Sequence, residues 1–133
     1  MALQAWGAYG ILWPVVHFEL GVAPDTGRGS VSVVPQIPTG QRTVAGSDIR
    51  LGAGSLDVRA TRSGRQLVTT VARHGAIRLT IGAVLPSGSG VLRARLDGQL
   101  VPFQVVPTSR GRELRVAAAR GSGTSRLVVD LAG

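Results

Sequence analysis

The 133-residue sequence contains no cysteine and no lysine, and only 4% of its residues are aromatic. Without cysteine the chain has no disulfide, no thiol nucleophile and no thiolate metal ligand. The lack of cysteine does not decide in which redox compartment the protein resides, and the cytoplasm is slightly favoured. The net charge of +8 is carried entirely by arginine. Because the arginines are spread over turns and over the polar positions of alternating runs, ordinary surface charge is favoured over nucleic-acid binding.

The N-terminal residues lack the positively charged region and the small-residue cleavage site of a signal peptide. Their apolar stretch, residues 11–16, is far shorter than the roughly 20 residues that a transmembrane helix needs. We therefore expect no membrane partner.

Residues 1–21 hold both tryptophans and the tyrosine, and we predict that they form a helical segment. Leu3, Trp6 and Trp13 belong to a set of residues that recur at spacings of three and four, which places them on one helix face. Pro14 lacks the hydrogen-bond donor that a helix interior needs, so we expect a kink there. A helix this short is marginal alone, so it should dock on the sheet or on another domain.

Residues 22–30 are interpreted as a linker loop, and residues 31–133 as a C-terminal domain in which the periodicity changes to two. Polar and apolar residues alternate at 56–61 and 77–83, which is typical of antiparallel strands with one buried face. The Asp97-Gly98 pair is the strongest hairpin signal. The predicted strands lie near 31–35, 48–51, 55–62, 66–74, 76–84, 91–97, 100–107, 112–118 and 124–131. The predicted fold class is therefore mainly β, an antiparallel β-sandwich of about eight or nine strands behind one kinked helical segment.

No arrangement of residues predicts catalysis, a cofactor or a metal centre. The seven acids are accounted for by turns, loops, a helix face and polar strand positions, and no two form a catalytic pair: Glu19, Asp25, Asp48, Asp57, Asp97, Glu113 and Asp130. The histidines at 17 and 74 have no ligand spacing around them. The glycine-rich stretches 52–55 and 121–124 lack the lysine and the helix of a phosphate-binding loop. We therefore expect no enzymatic activity from this chain alone.

The candidates for contact with a carbohydrate are Trp6, Tyr9, Trp13 and His17, all in the helical segment. Flat aromatic faces can stack on the apolar face of a sugar ring. Trp6 and Trp13 are also seven residues apart and share a helix face, a spacing that is typical of side chains buried along one side of a helix. Core packing is the favoured interpretation for the aromatic residues. For His17 the favoured interpretation is a hydrogen bond to a neighbouring carbonyl.

Residues 3–41, LQAWGAYGILWPVVHFELGVAPDTGRGSVSVVPQIPTGQ, resemble a segment of bacterial glycogen-debranching and glucoamylase-like glycoside hydrolases of the six-hairpin, (α/α)6-barrel superfamily. In that family a final barrel helix leads through a glycine-rich loop into a C-terminal β-sandwich. The matching positions are Gln4, Trp6, Gly10, Trp13 and Pro14, then Leu20, Gly21, Val22, Pro24, Asp25, Gly27, Arg28 and Gly29, then Val33, Pro35, Gln36 and Pro38. The later phrases IRLGAGSLDV and RLTIGAVLP also resemble that sandwich.

The resemblance implies that residues 1–21 correspond to the last barrel helix and that the chain is a C-terminal piece of such an enzyme. The family's catalytic carboxylates lie on barrel loops, and nothing in this chain matches them. The implied function is a non-catalytic module that supports the barrel of an enzyme acting on α-glucans. Its partner would be that barrel, or a second copy through the helix. A free-standing module that binds α-glucan is the alternative, and a basic nucleic-acid-binding protein is less favoured.

Overall fold

A computed structural model describes residues 20–25, 30–38, 40–51, 54–118 and 121–132. This part of the chain is mainly β and contains no helix. The helical segment predicted for residues 1–21 lies, apart from Leu20 and Gly21, outside the described residues. The strands are β1 (Val22–Asp25), β2 (Ser30–Val33), β3 (Thr43–Leu51), β4 (Gly54–Ser63), β5 (Gln66–Val84), β6 (Gly90–Leu96), β7 (Gln99–Leu100), β8 (Gln104–Thr108), β9 (Gly111–Ala117) and β10 (Gly121–Ala132).

The ten strands join into one sheet because the 19-residue β5 pairs with two sets of neighbours. Its first half, residues 66–74, lies between β4 and β10. Its second half, residues 78–84, lies between β2 and β9. The first set runs β3-β4-β5-β10-β6-β7, and the second runs β1-β2-β5-β9-β8. The pairing of β2 with β5 is parallel, and the other described pairs are antiparallel, as the alternating pattern predicts.

The prediction of two strands separated by a turn at His74-Gly75 is wrong, because β5 continues through both residues. Gly75 has a φ of 121°, a conformation that favours glycine and lets the strand change direction. Arg73 is buried beside this point rather than on the surface. Its guanidinium donates to the carbonyl of Ile77 at 2.7 Å and to the hydroxyl of Ser125 at 3.3 Å. The glycine signal was correct, but it marks a bend between two pairing partners instead of a hairpin.

One hydrophobic core collects side chains from both halves of the sheet. The predicted alternation is confirmed, since the apolar members of both runs are buried: Leu56, Val58 and Ala60 in β4, and Ile77, Leu79, Ile81 and Ala83 in β5. Between the halves, the hydroxyl of Thr69 donates to the carbonyl of Gly82 at 2.9 Å. A Cβ atom on Gly82 would overlap the carbonyl oxygen of Leu114, so the close approach of β9 requires glycine.

The segment interpreted as a linker loop at 22–30 also differs from the structure. Residues 22–25 form β1, in antiparallel register with β2. Leu20 and Val22 are both 1% exposed, so the chain already belongs to the core here. Gly21 has a φ of 63° and lies against the backbone of Val34. It has no side chain that would occupy the space between the two backbones. Residues 22–25 have the composition of a loop, but they form a strand because they pair with β2.

The prediction of a single strand at 100–107 is corrected to two, β7 and β8. Pro102 lies between them and has no amide hydrogen to donate to a ladder. The Asp97-Gly98 hairpin is confirmed, with β6 and β7 paired on either side. Both residues have positive φ, 52° and 86°, as the favoured two-residue hairpin turn requires. Asp97 is also tied to β10, because its carboxylate accepts from the amide of Arg126 at 2.9 Å.

Candidate functional site

The four predicted carbohydrate-contact residues, Trp6, Tyr9, Trp13 and His17, lie outside the described residues, and their role stays a prediction. Two of the seven acids, Glu19 and the side chain of Asp25, also lie outside that part. The five carboxylates that the structure describes are Asp48, Asp57, Asp97, Glu113 and Asp130. Their surroundings decide what chemistry the described part of the chain can offer.

Glu113 is buried, with 6% of the residue exposed. One carboxylate oxygen accepts from Arg115 at 2.8 and 3.2 Å. The other accepts from the hydroxyl of Thr108 at 3.0 Å and lies 3.6 Å from the guanidinium of Arg110. From the sequence, Glu113 was expected only to lie near the start of the predicted strand 112–118. The sequence-based expectation missed these partners because they depend on the β8–β9 hairpin, which brings residues 108 and 110 next to Glu113.

Arg110 connects this cluster to the segment after β2, since its guanidinium also donates to the carbonyl of Val34. Burial lowers the pKa of Arg110, while the nearby Glu113 carboxylate opposes that shift. Arginine stays protonated in proteins, so the group remains a cation. The cluster therefore connects the β8–β9 hairpin to the segment after β2. We call its residues, Thr108, Arg110, Glu113 and Arg115, the charged staple.

Asp57, Asp48 and His74 are brought together at the edge of β3, β4 and β5, which the sequence analysis did not predict. Asp57 accepts from the amide of Asp48 at 2.8 Å and contacts the Nε2 atom of His74 at 2.9 Å. These hydrogen bonds, the one from Asp48 first, lower the pKa of Asp57. Asp57, on β4, thus connects to β3 through the amide of Asp48 and to β5 through the ring of His74.

Asp130 binds three neighbours on the outer side of β5, β10 and β6. It accepts from Gln66 at 3.0 Å, from Arg93 at 2.7 Å and from Arg95 at 3.2 Å. The hydrogen bonds from Gln66 and Arg93 lower the pKa of Asp130. Among the described residues no group of three or more His, Cys, Asp or Glu side chains could hold a metal ion. Asp57, Asp97, Glu113 and Asp130 thus hold strands and turns together, whereas the carboxylate of Asp48 contacts, among the described residues, only Arg50 on its own strand.

A cleft of about 620 Å³ opens where residues 35–38 and 40–41 pass the turns at 86–88 and 110–112. Arg62, Arg110 and Arg112 line it, together with apolar residues that include Leu67 and Leu85. No carboxylate lines the cleft within the described ranges. Its lining is therefore a mixture of positively charged, polar and apolar residues.

Large apolar side chains are exposed on β6, on β7, on β8 and on the loop between β7 and β8. Leu92 is 66% exposed and Leu100 is 71% exposed, and Phe103 and Val105 are also exposed. We call these four residues the apolar edge. Leu92 lies at the irregularity between β6 and β10, where the register passes from Arg93 directly to Val91. All four fall within residues 92–105, which makes this stretch of the chain a candidate for contact with another molecule.

No protein-family model matches the chain. No curated protein matches it at a significant level. The described residues contain no helix of the length and hydropathy needed to span a bilayer. Assignment to a family therefore depends on the residues themselves.

Proposed function

We propose that the chain is the non-catalytic C-terminal module of a glycoside hydrolase that acts on α-glucans, and that it supports the catalytic (α/α)6 barrel. The observation that carries the proposal is the engagement of all five described carboxylates by backbone amides, arginines, a histidine or polar side chains. Acid–base hydrolysis of a glycoside needs two carboxyl groups that face a sugar, one of them with a raised pKa. The shifts at Asp57 and Asp130 go the opposite way, to lower pKa.

We further propose that the two strand sets face each other as a two-layer β-sandwich. The hydrogen bond between Thr69 and Gly82 supports this arrangement, because it joins the two halves of β5 through side chain and backbone. The shared hydrophobic core supports it as well, since it contains the buried positions of β4 and β10 together with those of β2 and β9. Two apolar sheet faces about 10 Å apart fill one core in this way.

The apolar edge supports a role as a packing module. A surface of this kind is covered in a larger assembly, and the resemblance of residues 3–41 to the end of a barrel and its sandwich indicates the barrel as the cover. If so, the chain alone should bind apolar dye and associate. Its two tryptophans, at positions 6 and 13, provide the optical signal.

The experiment is light scattering after gel filtration, combined with acrylamide quenching of tryptophan fluorescence and an assay for sugar released from glycogen. We expect association that rises with concentration, tryptophans that the quencher reaches in the dilute protein, and no release of sugar. A monodisperse monomer with both tryptophans shielded would argue against a missing barrel. Release of sugar that Asp57→Asn abolishes and Asp48→Asn leaves intact would overturn the non-catalytic proposal.

A free-standing carbohydrate-binding module is the second candidate. A shallow depression of about 390 Å³ on β3, β4, β5 and β10 favours it, because its lining combines small alanines with side chains that can form hydrogen bonds, namely Asp57, Arg59, Thr70 and Thr124. Retarded migration in a glycogen-containing native gel is its test. Loss of the retardation in Arg59→Ala would place glucan in the depression, whereas loss in Trp6→Ala or Trp13→Ala would place it on the N-terminal segment.

A further inference from the structure

Two arginines lie opposite each other at the end of the β3–β4 ladder. The register of the two strands sets Val44 opposite Ala60, and two positions further it sets Arg42 opposite Arg62. The amide of Arg62 donates to the carbonyl of Arg42 at 2.8 Å, so the backbone pairing extends to these residues. Directly opposite residues of an antiparallel pair have Cβ atoms about 4.5–5.5 Å apart. We call Arg42 and Arg62 the arginine pair.

Both side chains of the arginine pair leave the ladder on the same face. Successive side chains of a strand point to opposite faces, so Arg42 shares the face of Val44, and Arg62 shares the face of Ala60. Val44 is 6% exposed and Ala60 is 3% exposed, whereas both arginines are exposed. The arginine pair therefore lies at the rim of the core, one pair of same-face residues beyond its last buried pair on these strands.

The arginine pair lines one depression of about 520 Å³. Gln41 and Ser63 also line it and offer an amide and a hydroxyl group as neutral donors. Gly40 and Gly64 complete the lining, and a Cβ atom on either would meet nothing within 4 Å, so the depression is open to solvent. No carboxylate lines the depression within the described ranges. The two guanidinium groups thus border the same open space.

The guanidinium groups of the arginine pair form no hydrogen bond or ion pair with another described residue. The arginines of the β8–β9 hairpin differ, because Arg110 donates to the carbonyl of Val34 and Arg112 to that of Ser89. Like charges directly opposite each other on a sheet repel, so the bare arginine pair destabilises the end of this ladder. An anion between the two groups would remove that repulsion and fill their donors.

We propose that the arginine pair binds a phosphate group. Two guanidinium groups balance the charge of a phosphate dianion, and their planar donors fit its oxygens in a bidentate manner. Free phosphate and the phosphate of a small ester present the same group, and the open depression admits either. Because salt screens exposed charges, we expect a dissociation constant on the order of 1–10 mM that weakens as the salt concentration rises. The proposal is independent of the glycosidase assignment, because it rests only on residues of this domain.

The test is the melting temperature of the full chain at about pH 8, where phosphate is mainly a dianion. Inorganic phosphate, methyl phosphate and acetate are each compared with sodium chloride at equal ionic strength. We expect roughly 10 mM inorganic phosphate to raise the melting temperature by about 3 °C and acetate to leave it unchanged. An equal rise with methyl phosphate would support a site for the phosphate group on any carrier, and no rise with it would support a site for the free anion. An equal rise with acetate would overturn the proposal, because a singly charged anion would then serve as well.

The matched variants are Arg42→Gln in the arginine pair and Arg78→Gln on an exposed part of β5 outside the depression. Both remove one positive charge, so general attraction of anions and the general stabilising effect of phosphate salts change equally in the two. We expect the phosphate-induced rise to fall at least about threefold in Arg42→Gln and to stay close to that of the unchanged chain in Arg78→Gln. Arg62→Gln should behave as Arg42→Gln does.

The chloride buffer supplies a second measurement. There Arg42→Gln should melt at the same temperature as the unchanged chain or slightly above it, because the variant keeps the backbone hydrogen bond to Arg62 and loses the repulsion. A phosphate-induced rise that persists in Arg42→Gln would overturn the site and assign the effect to phosphate salts in general. Equal losses in Arg42→Gln and Arg78→Gln would also overturn it and would indicate a general polyanion surface.

Discussion

Replacement of Glu113 by glutamine tests the charged staple between the β8–β9 hairpin and the rest of the fold. The change keeps the size of the side chain but removes the charge that faces Arg110 and Arg115. Loss of one partner from a buried ion pair costs about 3–5 kcal/mol. The side chain of Arg115 is 38% exposed and regains water, whereas that of Arg110 is only 17% exposed. We therefore expect the free energy of unfolding to fall by about 2–3 kcal/mol, below the full range for a buried pair.

Urea denaturation followed by circular dichroism measures this loss. For a domain of this size, with an m-value of roughly 1.5–2 kcal/mol/M, the midpoint should fall by about 1–2 M. The control is Asp48→Asn, because that carboxylate is 68% exposed and contacts Arg50 only at 3.5 Å. We expect the control to change stability by less than about 0.5 kcal/mol. If Glu113→Gln costs no more than Asp48→Asn, the buried cluster does not contribute as we argue.

Three further perturbations test other parts of the fold. Gly82→Ala should destabilise the fold by about 3 kcal/mol or more, because its Cβ would overlap the Leu114 carbonyl. The control Gly90→Ala should be tolerated, because its Cβ meets only Ala132, at 3.6 Å. Thermal melting of the two variants measures the difference. The pKa of Asp130 is lowered below its ordinary 3.8, so its contribution is present above that pH and is lost as the pH falls through the folded value. Asp130→Asn should therefore flatten the decline of melting temperature below about pH 4, and an unchanged acid limb would contradict the assignment. Leu100→Ser should leave the melting temperature within about 1 °C but reduce binding of an apolar dye, since the side chain is exposed.

Much of the strand content follows from local patterns. Alternation places Leu56, Val58 and Ala60 inside, and the Asp97-Gly98 turn follows from two residues that tolerate positive φ. The His74-Gly75 signal shows where such local information ends. A glycine with positive φ serves a hairpin or a bend equally well, and the outcome depends on whether residues 78–84 return to β4 or pair with β2 and β9.

The clusters of charged residues are even less accessible from sequence. Asp57 and His74 are 17 positions apart, and they meet only because the β4–β5 register sets Asp57 opposite Ala72. Arg62 and Arg112 line one cleft because the end of β4 and the beginning of β9 both border it. β1 is a similar case, since Val22–Asp25 has the composition of a turn and pairs only through Ser30–Val33. Such contacts depend on strand order, which alternation alone does not encode.

The shared strand β5 has a consequence for how the domain folds and unfolds. Neither strand set can separate as an independent unit, because each loses its central strand if the other half of β5 is pulled away. Closure of the sheet must also bring β10 back to β5 across more than 50 residues, so folding is slow relative to helical domains of this length. The amides of Val71 and Ile81, on opposite sides of Gly75, should then show the same free energy of opening in hydrogen exchange, as expected for a single cooperative unit. One continuous backbone thus couples the two halves mechanically, in addition to the core that they share.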